Sequence, residues 1–323
     1  MPKIAILDDY LNAARDLADW SRLGDDCEIT VFNEPITDEA ALVKALEPFD
    51  IVCLMRERTA LPGSVIRRLD NLDLIMTAGR RNAVIDLAAA AEQGVMVCGT
   101  ESSGRGTIEL TWSLILNLFH RIRQNHDAMR QGQWQTELGS LVQHKTLGIV
   151  GLGRLGGQVA QIAAAFDMTV IAWSQNLTDE RAAECGATRV DKETLFRQAD
   201  VISIHQTLSN RTRGLVDAAT LGLMKPTAYF VNTSRGPIVD TAALVEALSA
   251  GRIAGAAVDV YDEEPLPADH PLRRTERLLM TPHIGYVSTE NMGLFYRQMV
   301  DGIEAWRAGK PIRVLSADKP AIG

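Results

Sequence analysis

The sequence predicts an α/β protein of two doubly wound parallel-sheet domains, and three observations carry that prediction. Apolar runs of strand length alternate with helix-like stretches in both halves of the chain. Residues 146–156 read Thr-Leu-Gly-Ile-Val-Gly-Leu-Gly-Arg-Leu-Gly, an apolar run closing on Gly151, Gly153 and Gly156, followed by the helix-like stretch Gln158–Phe166 and the strand-like stretch Met168–Trp173. This glycine turn also stands at mid-chain, so about a domain's worth of the 323 residues precedes it.

Before the turn, strands are predicted at Lys3–Leu7, Glu28–Phe32, Ile51–Met55, Leu74–Thr77 and Val95–Cys98, with helices at Asp38–Leu46 and Ile85–Gln93 between them. Between Gly106 and Gln124 the apolar residues Ile108, Trp112, Ile115, Phe119 and Ile122 keep a helical period, which predicts one long helix and a domain boundary near residue 101. Beyond the turn come strands at Met168–Trp173, Asp200–His205, Ala228–Asn232, Gly255–Val260 and Leu278–Met280, with a helix at Thr241–Ala250. A last helix, Asn291–Ala308, stops at Gly309-Lys310-Pro311, and the short tail after it is expected to pack back on the first domain. The domains are thus expected at 1–101 with 285–323, and at 102–284.

Composition narrows the function. A net charge of −8 argues against a nucleic-acid surface, which needs a basic face, and no apolar run is long enough to span a bilayer. The chain opens on a strand-like run with no signal-peptide core, so the cytoplasm is the default expectation. Cys27, Cys53, Cys98 and Cys185 lie far apart, in no metal-ligand spacing, and read as reduced packing residues; no metal is expected.

The glycine turn carries specific physics. Gly151 permits the tight turn, Gly153 lets a pyrophosphate approach the backbone, and Gly156 lets helix and strand pack closely, with the phosphates at the positive helix N-terminus. A dinucleotide is the ligand this arrangement suits.

Three later segments each begin at the C-terminal end of a predicted strand: NTSRGPIVD from Asn232, AVDVYDEEPLP from Ala257 and TPHIG from Thr281. Ligands of open α/β sheets bind at those ends, which brings Arg235, Asp259, Glu264 and His283 into consideration together. Singly, an arginine after a strand is an ordinary surface ion pair and an acid in an acidic loop is ordinarily solvated. As a set, they suit hydride transfer to a 2-oxo acid. A guanidinium holds the substrate carboxylate and polarises the carbonyl, an imidazolium supplies the proton, and a carboxylate orients the imidazole.

In this order and spacing, the GLGRLG turn and the three segments resemble the D-isomer-specific 2-hydroxyacid dehydrogenases, from roughly Leu74 to the C-terminus. The resemblance implies a Rossmann cofactor domain inserted into a flavodoxin-like substrate domain. It further implies Arg235 as the substrate-binding arginine, His283 as proton donor and acceptor, and Glu264, the glutamate followed by proline, as its partner. Asp259 is implied to bind the nicotinamide carboxamide, and backbone amides around Gly79 and Arg80 to receive the substrate carboxylate. The cofactor surface it implies runs over Gly151, Gly153, Arg154, Leu155 and Gly156, the turn Ser174-Gln175-Asn176, then Thr207, Thr212, Thr233, Asp259 and Gly285. A homodimer built around the helix after residue 106 is implied as well, acting on a small 2-oxo or 2-hydroxy acid.

Some positions depart from the family pattern. The substrate loop reads Gly79-Arg80-Arg81-Asn82-Ala83-Val84-Ile85-Asp86, and its two arginines alter the pocket, either adding a cation for a second acidic group or standing beside the cleft. Arg56 and Arg58 lie where the pocket wall is expected, Arg56 being taken as a substrate contact. Thr207 replaces the usual proline, and His205 reads as structural. About 20 residues past the turn an NAD enzyme carries an acid; this chain has Ser174-Gln175-Asn176, which leans to NADP over NAD, with Arg154 or Arg181 in reach of a 2′-phosphate. Competing readings are a dinucleotide-sensing, corepressor-like interaction protein, and a dehydrogenase of another acid such as formate or a phosphorylated sugar acid.

Overall fold

The computed structural model describes residues 1–321. It forms two compact units, Met1–Ser103 together with the chain from Val287 onward, and Gly104–Tyr286. The strands are β1 Lys3–Ile6, β2 Glu28–Val31, β3 Ile51–Leu54, β4 Leu74–Thr77, β5 Met96–Gly99, β6 Thr146–Val150, β7 Thr169–Trp173, β8 Thr188–Arg189, β9 Val201–Ile204, β10 Tyr229–Asn232, β11 Gly255–Val258, β12 Leu278–Met280 and β13 Val314–Leu315.

In the first unit the sheet order is β13-β5-β4-β3-β1-β2. Residues of β3 and β4 are buried throughout, as parallel strands covered on both faces by helices must be. The order reverses between β1 and β3, so the crevice of this sheet opens at Asp8 and Arg56, just past those strands. The C-terminal tail does return to this unit, but as a strand: β13 pairs antiparallel with β5, Val314 opposite Cys98, so the sheet is not wholly parallel. Two residues of pairing are too short a run for periodicity to register.

The second unit holds a seven-stranded sheet, β12-β11-β10-β9-β6-β7-β8, parallel in every pairing. Its order reverses between β6 and β9, which puts the glycine turn and His205 on either side of the crevice. Helix starts in both units are set by short polar side chains. Asp86, Asp191, Asp240 and Ser288 each accept from the amide three residues on.

The predicted long helix is broken. Helices run over Arg105–His120 and Ile122–Arg130, and Arg121 between them is left-handed at φ 53°. Ser140 donates to the Phe119 carbonyl, ending the first helix, and the Asn117 side chain accepts from the Arg123 amide, starting the second. Ile122, placed by the helical period on the buried face, is 52% exposed. No helix among the described residues is long and apolar enough to cross a membrane.

Candidate active site

The glycine turn after β6 has the shape its residues suggest. Gly151 sits at φ 103°, and a Cβ there would press on the His205 carbonyl, 2.7 Å away. A Cβ at Gly156 would collide with the Gly151 carbonyl oxygen, whereas one at Gly153 would meet nothing within 4 Å. Gly153 is the residue before the helix Arg154–Ala164 and has no side-chain cap. An open, uncapped helix N-terminus behind a bare glycine is the cradle a pyrophosphate needs, so the residues present fit a dinucleotide. Leu155 is half-buried behind this turn.

Beside it, the Gly151 amide donates to the Trp173 carbonyl at 2.8 Å, which fixes the end of β7 and the turn Ser174-Gln175-Asn176 next to the cradle. Ser174 is half-buried, and Gln175 and Asn176 are exposed. Of the two arginines expected near a 2′-phosphate, Arg181 is paired with Glu184 at 2.9 Å, while the Arg154 guanidinium lies over Gly104. The hydroxyl of Thr212 is spent within its own loop, donating to the Thr207 carbonyl at 2.7 Å and accepting from the Ser209 amide at 2.8 Å. That of Thr233 faces the helix Arg105–His120, 2.9 Å from Thr111 Oγ1. Since Thr111 already donates to the Thr107 carbonyl, Thr233 is the donor of that pair. Both hydroxyls thus make bonds within the fold.

Arg235 follows β10, and Asn232 at the strand end sets its place. The Asn232 side chain accepts from the Ser234 amide and donates to the Arg235 carbonyl, both at 3.0 Å. Next to it Gly236 lies so close to Tyr261 that any Cβ would collide with the Tyr261 carbonyl carbon. Glycine there is what lets the Arg235 loop lie against the Glu264 loop.

Glu264 and His283 meet directly. Glu264 Oε2 is 2.5 Å from His283 Nδ1, and its other oxygen accepts from the Tyr261 amide at 2.9 Å. Burial pushes the Glu264 carboxyl up. The His283 hydrogen bond and charge, the Tyr261 amide and the Arg235 guanidinium outweigh it and hold the group below the ordinary carboxylate range. Glu263 is exposed, and Glu264 is the glutamate that meets His283.

Asp259, 1% exposed, is the anchor of the histidine loop. One oxygen accepts from Thr281 Oγ1 at 2.6 Å and the Ile284 amide at 2.8 Å, the other from the Gly285 amide at 2.9 Å. Burial raises its pKa, opposed by Thr281, the His283 charge and these amides. The loop it grips holds His283 at φ 52°, a left-handed backbone that costs energy in a non-glycine residue and persists where surroundings enforce it. Thr107 Oγ1 adds a bond to the Gly285 carbonyl at 2.9 Å, and Tyr261 Oη one to the Thr281 carbonyl at 2.9 Å. Sequence reasoning missed Thr107 and Tyr261; only the position of Tyr261 inside the AVDVYDEEPLP segment hinted at a role. His205, expected to be structural, has its Nε2 2.8 Å from Ser203 Oγ, and burial pushes its pKa down to about 4.

In the first unit the expected substrate loop is differently committed. The Gly79 amide donates to Thr100 Oγ1 at 2.8 Å, and the Gly79 carbonyl accepts from the Thr100 amide at 3.0 Å. Of the backbone amides around Gly79 and Arg80 expected to receive a carboxylate, that of Gly79 is therefore engaged by a side chain twenty-one residues on. Arg58 donates to the Asp8 carbonyl at 2.8 Å and lies over the Tyr10 ring at 4.4 Å. Arg80 is 3.5 Å from Glu101, and Arg81 is exposed. The Arg56 guanidinium lies over Gly79, on a backbone at φ 58°.

A family profile described as D-isomer specific 2-hydroxyacid dehydrogenase, NAD binding domain, matches residues 112–285. A glyoxylate reductase of Aeropyrum pernix is 35% identical over 297 residues, covering 88% of each chain. A hydroxypyruvate reductase of Blautia hydrogenotrophica is 28% identical, over 97% of this chain and 99% of that one. Among solved structures, a phosphoglycerate oxidoreductase from Vibrio cholerae superposes with a TM-score of 0.90 at 35% identity, covering 96% of this chain and 100% of that one.

Proposed function

The chain belongs to the D-isomer-specific 2-hydroxyacid dehydrogenase family and is an NAD(P)-dependent oxidoreductase of that class, and from that premise we propose that it interconverts a small 2-oxo acid and the D-2-hydroxy acid with His283 as proton donor and acceptor. The observation that carries this reading is the 2.5 Å contact between Glu264 and His283, beside Arg235. With Nδ1 held by the carboxylate, Nε2 is the nitrogen that gives the proton to the substrate oxygen, and Glu264 stabilises the charged ring before it does so. Arg235 takes the substrate carboxylate in its planar fork and draws electron density from the carbonyl. The bound nicotinamide supplies or accepts the hydride.

Several finer points complete the reading. NADP is the favoured cofactor, because the turn Ser174-Gln175-Asn176 offers hydroxyl and amide groups and no carboxylate to repel a 2′-phosphate. Arg56 and Arg80 are the side chains of the first unit assigned to substrate. Glyoxylate and hydroxypyruvate are the first substrates, the two relatives described above being named for them. The protein is a homodimer. Exposed apolar side chains on the helix Ile122–Arg130 and the segment after it, Met129, Trp134, Leu138 and Leu141, support a partner surface there, which size-exclusion chromatography with light scattering tests. The site's paired acid and imidazole favour an enzyme over an interaction protein.

The test is oxidation of NADPH and NADH with a panel of 2-oxo acids, with His283→Ala as the control. Turnover is expected with at least one acid, and the variant is expected to lose about 10²- to 10⁴-fold of it while still binding cofactor. Wild-type turnover in His283→Ala would remove His283 from the proton's path.

A further inference from the structure

We propose that Tyr286 is a positioning residue for proton transfer, its ring fencing the His283 imidazole so that Nε2 keeps one direction while Glu264 holds Nδ1. This rests on the reading of His283 as the proton donor. The bond from Nδ1 to Glu264 Oε2 adds one tie to the Cβ–Cγ link, and χ1 and χ2 can still change together while it is kept, which re-aims Nε2. Tyr286 closes that freedom. Its ring centroid is 5.3 Å from that of His283 and the planes meet at 80°, the edge-to-face arrangement that aromatic pairs prefer.

The fence is itself rigid. Tyr286 is 6% exposed. The residue before it, Gly285, is tied at both backbone groups, its amide to Asp259 at 2.9 Å and its carbonyl to Thr107 at 2.9 Å. The Ile284 amide is tied to Asp259 too, at 2.8 Å. A Cβ at Gly106 would meet the Gly285 carbonyl oxygen at 2.8 Å, so the helix Arg105–His120 backs this segment closely. The imidazole therefore meets a carboxylate at one nitrogen and a fixed aromatic wall beside it, on a left-handed backbone that cannot relax. Proton transfer needs the donor within a narrow range of distance and angle, and misplacement by about 1 Å costs on the order of 10²-fold in rate.

The test compares Tyr286→Phe with Tyr286→Leu. With the best 2-oxo acid, Tyr286→Phe is expected to keep kcat within about threefold of wild type, while Tyr286→Leu loses about tenfold or more. In neither do the substrate KM or the cofactor Kd, read by nicotinamide fluorescence, change by more than about threefold. The His283 ring Cε1–H signal in NMR, assigned by its loss in His283→Ala, is expected to move and broaden in Tyr286→Leu and to stay in place in Tyr286→Phe. If Tyr286→Leu does not fold, Tyr286→Met, unbranched, adaptable and without a ring, takes its place with the same expectation. Wild-type kcat and an unmoved ring signal in the ringless variant would overturn the proposal, as would equal losses in the Phe and Leu variants. If the wild-type protein reduces no 2-oxo acid the functional reading fails, and the ring signal still decides whether Tyr286 holds the imidazole.

Discussion

Asp259 and His283 are coupled through the backbone: the aspartate grips the two amides that follow the histidine and the hydroxyl of Thr281 before it, and the histidine between them is left-handed. Asp259→Asn keeps one acceptor but turns an amide donor toward the backbone N–H groups. A buried donor left unmet costs about 1–3 kcal/mol. In a domain of this size that is a fall in Tm of about 2–4 °C per kcal/mol, measured by thermal unfolding without ligand. The same variant is expected to lower kcat by more than the stability loss alone explains, because the His283 loop relaxes. A variant with unchanged Tm and kcat would show that these three bonds are dispensable.

Arg235 is expected to bind and to polarise in one contact. Arg235→Lys keeps the charge but loses the planar two-point geometry, so KM for the 2-oxo acid rises and kcat falls together, each by about tenfold or more. Steady-state kinetics at saturating cofactor separates the two. A rise in KM with kcat unchanged would confine Arg235 to ground-state binding.

Much of this site was legible in the sequence. The glycine spacing defined the cradle because each glycine answers a separate steric demand, seen in what a Cβ would meet at Gly151, Gly153 and Gly156. The Glu264 and His283 pairing was legible only through family resemblance. Spacing alone left Asp259 open as the histidine's partner, and the difference is that Asp259 is consumed by backbone amides. What the sequence did not show shares one cause, competition for hydrogen bonds by distant residues. Thr100 takes the Gly79 amide, Thr111 takes the Thr233 hydroxyl, and Ser140 and Asn117 break the helix at Arg121. Such partners are set by tertiary packing and leave no periodic trace.

Cofactor preference turns on the end of β7. Ser174→Asp places an anion where it accepts from a ribose 2′-hydroxyl and repels a 2′-phosphate. The ratio of kcat/KM for NADH over NADPH is expected to rise by about tenfold or more, which corresponds to about 1.4 kcal/mol. An unchanged ratio would show that residue 174 does not face the ribose.

The pairing of Glu264 with His283 is tested most directly by the pH dependence of 2-oxo acid reduction. The histidine's charge and hydrogen bond help hold the Glu264 carboxyl low, so Glu264 is an anion beside the ring. Reduction starts from protonated His283, so activity is lost as pH rises through the alkaline limb of the kcat/KM profile. Removing the anion makes the proton easier to lose and moves that limb to lower pH. Glu264→Gln is expected to shift it down, while Glu263→Gln, changed at an exposed neighbour, leaves it in place. A limb that stays put in Glu264→Gln and moves in Glu263→Gln would contradict the assignment and hand the role to the neighbouring glutamate.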